Sequence, residues 1–148
     1  MTDIEFHVNQ PDKLHYSCRL LRKAYRSGTP VVVTGESALL LQLDQLLWQF
    51  SKHEFLPHCR ANAPVTTVDM SPILLVEQAL GCPTSGVLVN IGQALPSGFE
   101  RFSRLLEIAA DDEDDRLAAR VRWKHYKTRG YPLKRHEPTG QAESARQL

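Results

Sequence analysis

The chain has 148 residues, 42% of them hydrophobic and 24% charged, the size and composition of one packed domain. Lys and Arg number 18 against 17 Asp and Glu, so the formal charge is only +1. That excludes a protein that coats nucleic acid through its overall field, and any electrostatic recognition has to be local. Apolar runs fall short of the ~18 residues that span a bilayer, which excludes a transmembrane helix.

Cys18, Cys59 and Cys82 are odd in number and form no C-x-x-C pair, which argues against a disulfide scaffold or a cysteine-built zinc site. The start "MTDIEFHVNQ" lacks the cationic opening and apolar run of a secretion signal. The expectation is a soluble cytoplasmic protein without a membrane partner.

In chain order, "DIEFHV" alternates apolar Ile4, Phe6 and Val8 with polar neighbours and predicts a strand. Pro11 and Asp12 open a helix with Leu14, Cys18, Leu21 and Tyr25 on one face, stopped at Ser27-Gly28. "PVVVTG" is short, β-branched and unbroken, as in a strand buried on both faces. A second helix runs from about Glu36 to Phe50, and "ILLV" and "GVLVN" read as two more buried strands. "GFERF" starts a short helix near Gly98, and "LLEIAA" is a last strand. The acidic run "DDEDD" opens a final helix that ends at Arg129-Gly130. Strands alternating with helices imply a three-layer α/β sandwich with a mostly parallel sheet. It occupies residues 1–137 as a single domain, and 138–148 reads as a disordered tail for want of apolar residues.

Catalytic signals are weak. "VVVTGES" has one glycine, where a phosphate loop needs G-x-x-x-x-G-K-[ST] and a dinucleotide site needs G-x-G-x-x-G. The expectation there is an ordinary strand-to-helix turn with Ser37 or Thr34 near the cap. "DDEDD" lacks the glycine and distal glutamate of a calcium loop. The histidines are scattered: His53 and His58 sit in a loop-like stretch, beside Cys59. Cys82 precedes Pro83 in a turn. No nucleophile, base and acid set stands out, so the chain does not read as an enzyme, and no cofactor or metal is expected.

Two surfaces look built for partners. On a wheel of roughly 100° per residue, Leu39, Leu40, Leu43, Leu46, Leu47 and Phe50 share the core face of the second helix. Leu41 and Trp48 fall on the other side, and Phe55 and Leu56 follow soon after. Exposed aromatics of this type anchor interfaces, unless the following loop folds back over Trp48. In the last helix, Arg116, Arg120, Lys124 and Lys127 form one basic stripe with Trp123 inside it. Leu117, Ala118 and Val121 are expected to form the buried face, and Ala119 and Tyr126 to flank the stripe. A cationic rim around a tryptophan suits an acidic ligand with an aromatic residue, or single-stranded nucleic acid through stacking and phosphate contacts. The bland alternative is a solvated face whose cations suit the helix dipole.

The segments "LDQLLW", "FLPH", "GVLVNIG", "FERFSRLLEI" and "RVRWKHYKTRGY", in this order over residues 1 to 135, resemble the chi subunit of bacterial DNA polymerase III holoenzyme. The resemblance implies a Rossmann-like fold without a nucleotide site. It implies a non-catalytic accessory subunit of a nucleotidyltransferase assembly in DNA replication. Such a subunit links the psi subunit of the clamp loader to the acidic, phenylalanine-ended tail of single-stranded DNA-binding protein (SSB), and so touches DNA indirectly. Carried over, the tail-binding positions are Arg116, Arg120, Trp123 and Lys124, with Ala109 near the pocket. The face for psi, or in some bacteria for a competing DNA-repair helicase, falls on Trp48, Phe55 and Leu41. Direct binding of single-stranded nucleic acid is the rival reading.

Overall fold

The computed structural model describes residues 1–50, 57–60, 72–79 and 86–138. Phe55, Leu56, His53, Cys82 and the segment after Pro138 lie outside the described residues, as does the side chain of Cys59.

The elements are β1 (Asp3–Gln10), α1 (Lys13–Arg26), β2 (Val31–Thr34), α2 (Ser37–Gln49), β3 (His58–Arg60), β4 (Ile73–Val76) and β5 (Val87–Asn90). A single 3-10 turn (Phe99–Arg101), β6 (Arg104–Ala110), α3 (Glu113–Thr128) and β7 (Leu133–His136) complete them. The strands form one sheet of seven in the order β3-β4-β2-β5-β6-β1-β7. Every described pairing is parallel. The expected strand "LLEIAA" is β6, but it is not the last: β7 returns beside β1, outside it. The short edge strand β3 was also not expected.

β2 shows how the layers arise. All four of its residues are buried, and side chains alternate across a strand. Val31 and Val33 join Cys18, Leu21, Leu40, Leu43 and Leu47 under α1 and α2. Val32 joins Ile4, Phe6, Leu88, Leu105, Ala119 and Tyr126 under α3. The sheet is therefore covered on both faces, the three-layer sandwich expected. Among the described residues, no helix is long and apolar enough to cross a membrane.

The helix ends follow local chemistry. Asp12 caps α1 by accepting from the His15 amide at 3.1 Å. Gly28, at φ +76°, supplies the left-handed residue that lets the chain turn back, with its amide on the Tyr25 carbonyl. Asp112 caps α3 by accepting from the Asp115 amide at 3.1 Å, and Glu113, Asp114 and Asp115 fill the first turn. "DDEDD" is thus a helix start, as expected. The cap of α2 differs from expectation: the position belongs to Glu36, whose side chain makes no capping bond. Thr34 Oγ1 donates instead to the Glu77 carbonyl at 3.0 Å.

Candidate functional site

The "VVVTGES" turn packs closely on the chain that leaves β5. A Cβ on Gly35 would lie 2.8 Å from Ile91 Cγ1, so the turn is packed against the β5 exit. The Glu36 carboxylate accepts from the Gln93 amide at 3.1 Å across that crevice. An acidic group stands where an anion would have to bind.

α3 is turned differently from the wheel's expectation. Its buried residues are Asp115, Ala119, Arg122 and Tyr126. Leu117 and Val121, expected in the core, are 50% and 70% exposed. The reason is Glu107 of β6, a fully buried carboxylate on the α3 side of the sheet. Such a group is costly to bury without donors. It accepts from Arg122 Nε at 3.0 Å, from Asn90 Nδ2 at 2.8 Å and from the Tyr126 hydroxyl. Burial pushes the carboxyl pKa of Glu107 up, while Arg122 and the hydrogen bonds pull it back down. The same environment drives the Tyr126 hydroxyl far above its ordinary value, chiefly through burial and then the Glu107 charge. Satisfying Glu107 fixes the rotation of α3 and outweighs the burial of two aliphatic side chains.

That rotation leaves a hollow of about 400 Å³ between α3 and the β6-β1-β7 end of the sheet. Phe6, Val8, Ala109, Ala119 and Trp123 provide its apolar surface, and Asn9, Arg116, Arg120 and Arg135 its polar one. The two alanines make the space, because larger residues there would fill it. Trp123 is half-buried and stands edge-on to Phe6, with ring centroids 5.2 Å apart at 68°. Asn9 takes φ +56° where the β1–β6 register slips, so a bulge ends the hollow. Arg116 and Arg120 have no ion-pair partner among the described residues.

Of the positions expected to bind an acidic tail, Arg116, Arg120, Trp123 and Ala109 come together in this hollow. Lys124 is exposed on α3 and does not line it. Arg135 was missed. It comes from β7, where its guanidinium pairs with Glu137. Its signal was the short run "LKRH" after the Gly130 stop, a charged stretch that reads as a loop.

On α2 the expected exposure of two side chains is observed. Leu41 and Trp48 are 47% and 57% exposed on the outer side of α2. The Trp48 ring lies 4.7 Å from that of His58, which in turn pairs with Asp44 at 2.9 Å. Cys18 is buried, and burial pushes its thiol up to about 12, so it is an inert part of the core.

Comparison with known proteins bears on the family of the chain. The family described as "DNA polymerase III chi subunit, HolC" matches residues 1–134. DNA polymerase III subunit chi of Pseudomonas aeruginosa is 31% identical over 144 residues, covering 92% of this chain and 96% of that protein. Its counterpart in Haemophilus influenzae is 29% identical over 121 residues, covering 79% of this chain and 81% of that protein. With the match running from the first strand into the last, this chain belongs to the chi-subunit family of DNA polymerase III.

Proposed function

We propose that this replication subunit works without catalysis of its own. In this reading a single α/β domain over residues 1–137 joins the psi subunit to the acidic tail of SSB in the cytoplasmic replisome. The hollow under α3 carries the tail-binding reading: an apolar floor with Arg116, Arg120 and Arg135 around it. A terminal phenylalanine ring would pack against Trp123 and Phe6. Its carboxylate and the neighbouring acids would meet guanidinium groups, whose planar fork suits bidentate pairing. Leu41 and Trp48, exposed on α2, support the psi reading, with Phe55 as the third position. A repair helicase would compete for that same face.

The test is fluorescence polarisation of a labelled acidic peptide ending in phenylalanine. Wild type should bind it, and Arg120→Ala should bind about tenfold or more weakly, the worth of one charge-assisted contact. Equal affinities would remove Arg120 from the site. A gel shift with single-stranded DNA and no SSB separates the nucleic-acid reading, for which the net charge of +1 gives little support.

A further inference from the structure

Across the sheet from the hollow, on the α1 face, residues from opposite ends of the chain meet. Glu5 and His7 lie two apart on β1 and so point the same way. His136 of β7 is the register partner of His7. The two imidazoles are 4.7 Å apart, centroid to centroid. One oxygen of Glu5 faces both: Oε1 is 3.0 Å from His136 Nε2 and 3.7 Å from His7 Nε2. Arg104 holds the other oxygen, Oε2. One ligand atom from each of Glu5, His7 and His136 lies within 4.8 Å of the other two.

Hydrogen bonding does not complete this group. His7 is 8% exposed, and its Nε2 is buried with no hydrogen-bond partner among the described residues. The Tyr16 hydroxyl engages its Nδ1. If Nδ1 carries the proton, the Nε2 lone pair is turned toward a carboxylate. If Nε2 carries it, the donor is buried 3.7 Å from its nearest acceptor, beyond hydrogen-bond range. Either tautomer leaves an unsatisfied polar atom aimed at Glu5. A cation between the three groups removes the mismatch by taking the Nε2 lone pair and fixing the tautomer that carries its proton on Nδ1.

We propose that Glu5, His7 and His136 bind a divalent transition metal, Zn²⁺, which clips β7 to β1. Two imidazole nitrogens and one carboxylate oxygen are a recurrent ligand set for Zn²⁺. Bonds of about 2.0–2.1 Å in a tetrahedron put ligand atoms roughly 3.3 Å apart. Two of the three separations, 3.0 and 3.7 Å, bracket that value, and the third lies within 4.8 Å. Arg104 leaves the carboxylate one free oxygen, and Tyr16 orients His7 through its other nitrogen, the usual outer support of a metal-bound imidazole. Zn²⁺ takes the place of any proton on His136 Nε2: a neutral imidazole then carries its proton on Nδ1 instead, and a charged one releases a proton. The fourth position is left to water.

The experiment uses the full chain without an affinity tag, stripped with a chelator and titrated with ZnSO₄ by calorimetry, with thermal unfolding in parallel. Wild type should take up one Zn²⁺ at this site and melt at a higher temperature when loaded. His136→Ala, on an edge strand, should lose about a hundredfold in affinity together with the thermal shift, as loss of a direct ligand demands. His7→Asn should do the same, and His15→Ala, an exposed position on α1, should keep both. Absence of saturable binding by wild type overturns the proposal. So does a His136→Ala chain that binds and melts like wild type, since the metal would then sit elsewhere.

Discussion

Arg122 donates from Nε to Glu107 Oε1 at 3.0 Å, and both side chains are buried between α3 and the sheet. The pair fixes which side of α3 faces inward, and through that the position of every residue of the hollow on this helix. Removing one partner strands the other. Arg122→Met should therefore destabilise the fold by about 3–5 kcal/mol, the cost of a buried charge left unpaired. Glu107→Leu combined with Arg122→Met should recover most of the loss. Urea unfolding followed by circular dichroism measures both. If the single variant loses under about 1 kcal/mol, the pair does not hold the helix.

The arginine of β7 offers a test independent of α3. Arg135→Ala should weaken the acidic peptide by about 5- to 30-fold, roughly 1–2 kcal/mol. Its affinity should also fall less steeply with salt than that of wild type, because one screened charge is gone. Lys124→Ala, outside the hollow, should change affinity by less than about threefold. Polarisation titrations across a range of NaCl concentrations rank the three proteins.

Asp115 ties three elements together. It accepts from Lys13 Nζ at 2.7 Å, the Ala110 amide at 2.8 Å and Gln93 Nε2 at 2.8 Å. Burial raises its pKa, but these bonds and the Lys13 charge outweigh that, and the net shift is downward. A carboxyl with a lowered folded pKa stabilises above its unfolded pKa and loses that contribution as pH falls through the folded value. Asp115→Asn should be clearly less stable than wild type at neutral pH. The gap should narrow from about pH 5 downward. Urea midpoints at stepped pH read this out, and a gap that stays constant to pH 3 would argue against the assignment.

Trp48 should behave as a surface residue in the isolated chain. Trp48→Ala should cost no more than about 1 kcal/mol, since little buried area is lost. Capture of the psi subunit should drop sharply, while affinity for the acidic peptide stays at the wild-type value. Psi capture unchanged by Trp48→Ala and Leu41→Ala together would move the psi face elsewhere.

The sequence was most legible where one physical rule acted alone. "VVVT" is buried on both faces because nothing in it is polar, and Asp12 caps α1 because nothing competes for its carboxylate. The reading of α3 went wrong where rules conflicted. Hydropathy ranks Leu117 and Val121 as core and Arg122 as surface, but Arg122 answers a carboxylate on another strand. That partner lies fifteen positions away, outside any helical wheel. The basic stripe survived the error because Arg116, Arg120 and Trp123 sit at i, i+4 and i+7, beside the buried face in either rotation. β7 was illegible because a charged edge strand carries no core pattern, and with it went Arg135 and His136.

The place of β1 in the sheet has a consequence for how the chain is made. β1 leaves the ribosome before both its neighbours, β6, where Asp3 faces Arg104, and β7, where Ile4 faces Leu133. Its apolar Ile4 and Phe6 thus wait for about a hundred further residues before they can pair. Loop closure over such separations is slow, and an unpaired strand is open to wrong partners meanwhile. α1 and the β2–β4–β5 centre can assemble earlier. The hollow under α3 needs β1, β6 and β7 at once, so it cannot form until β7 has been made.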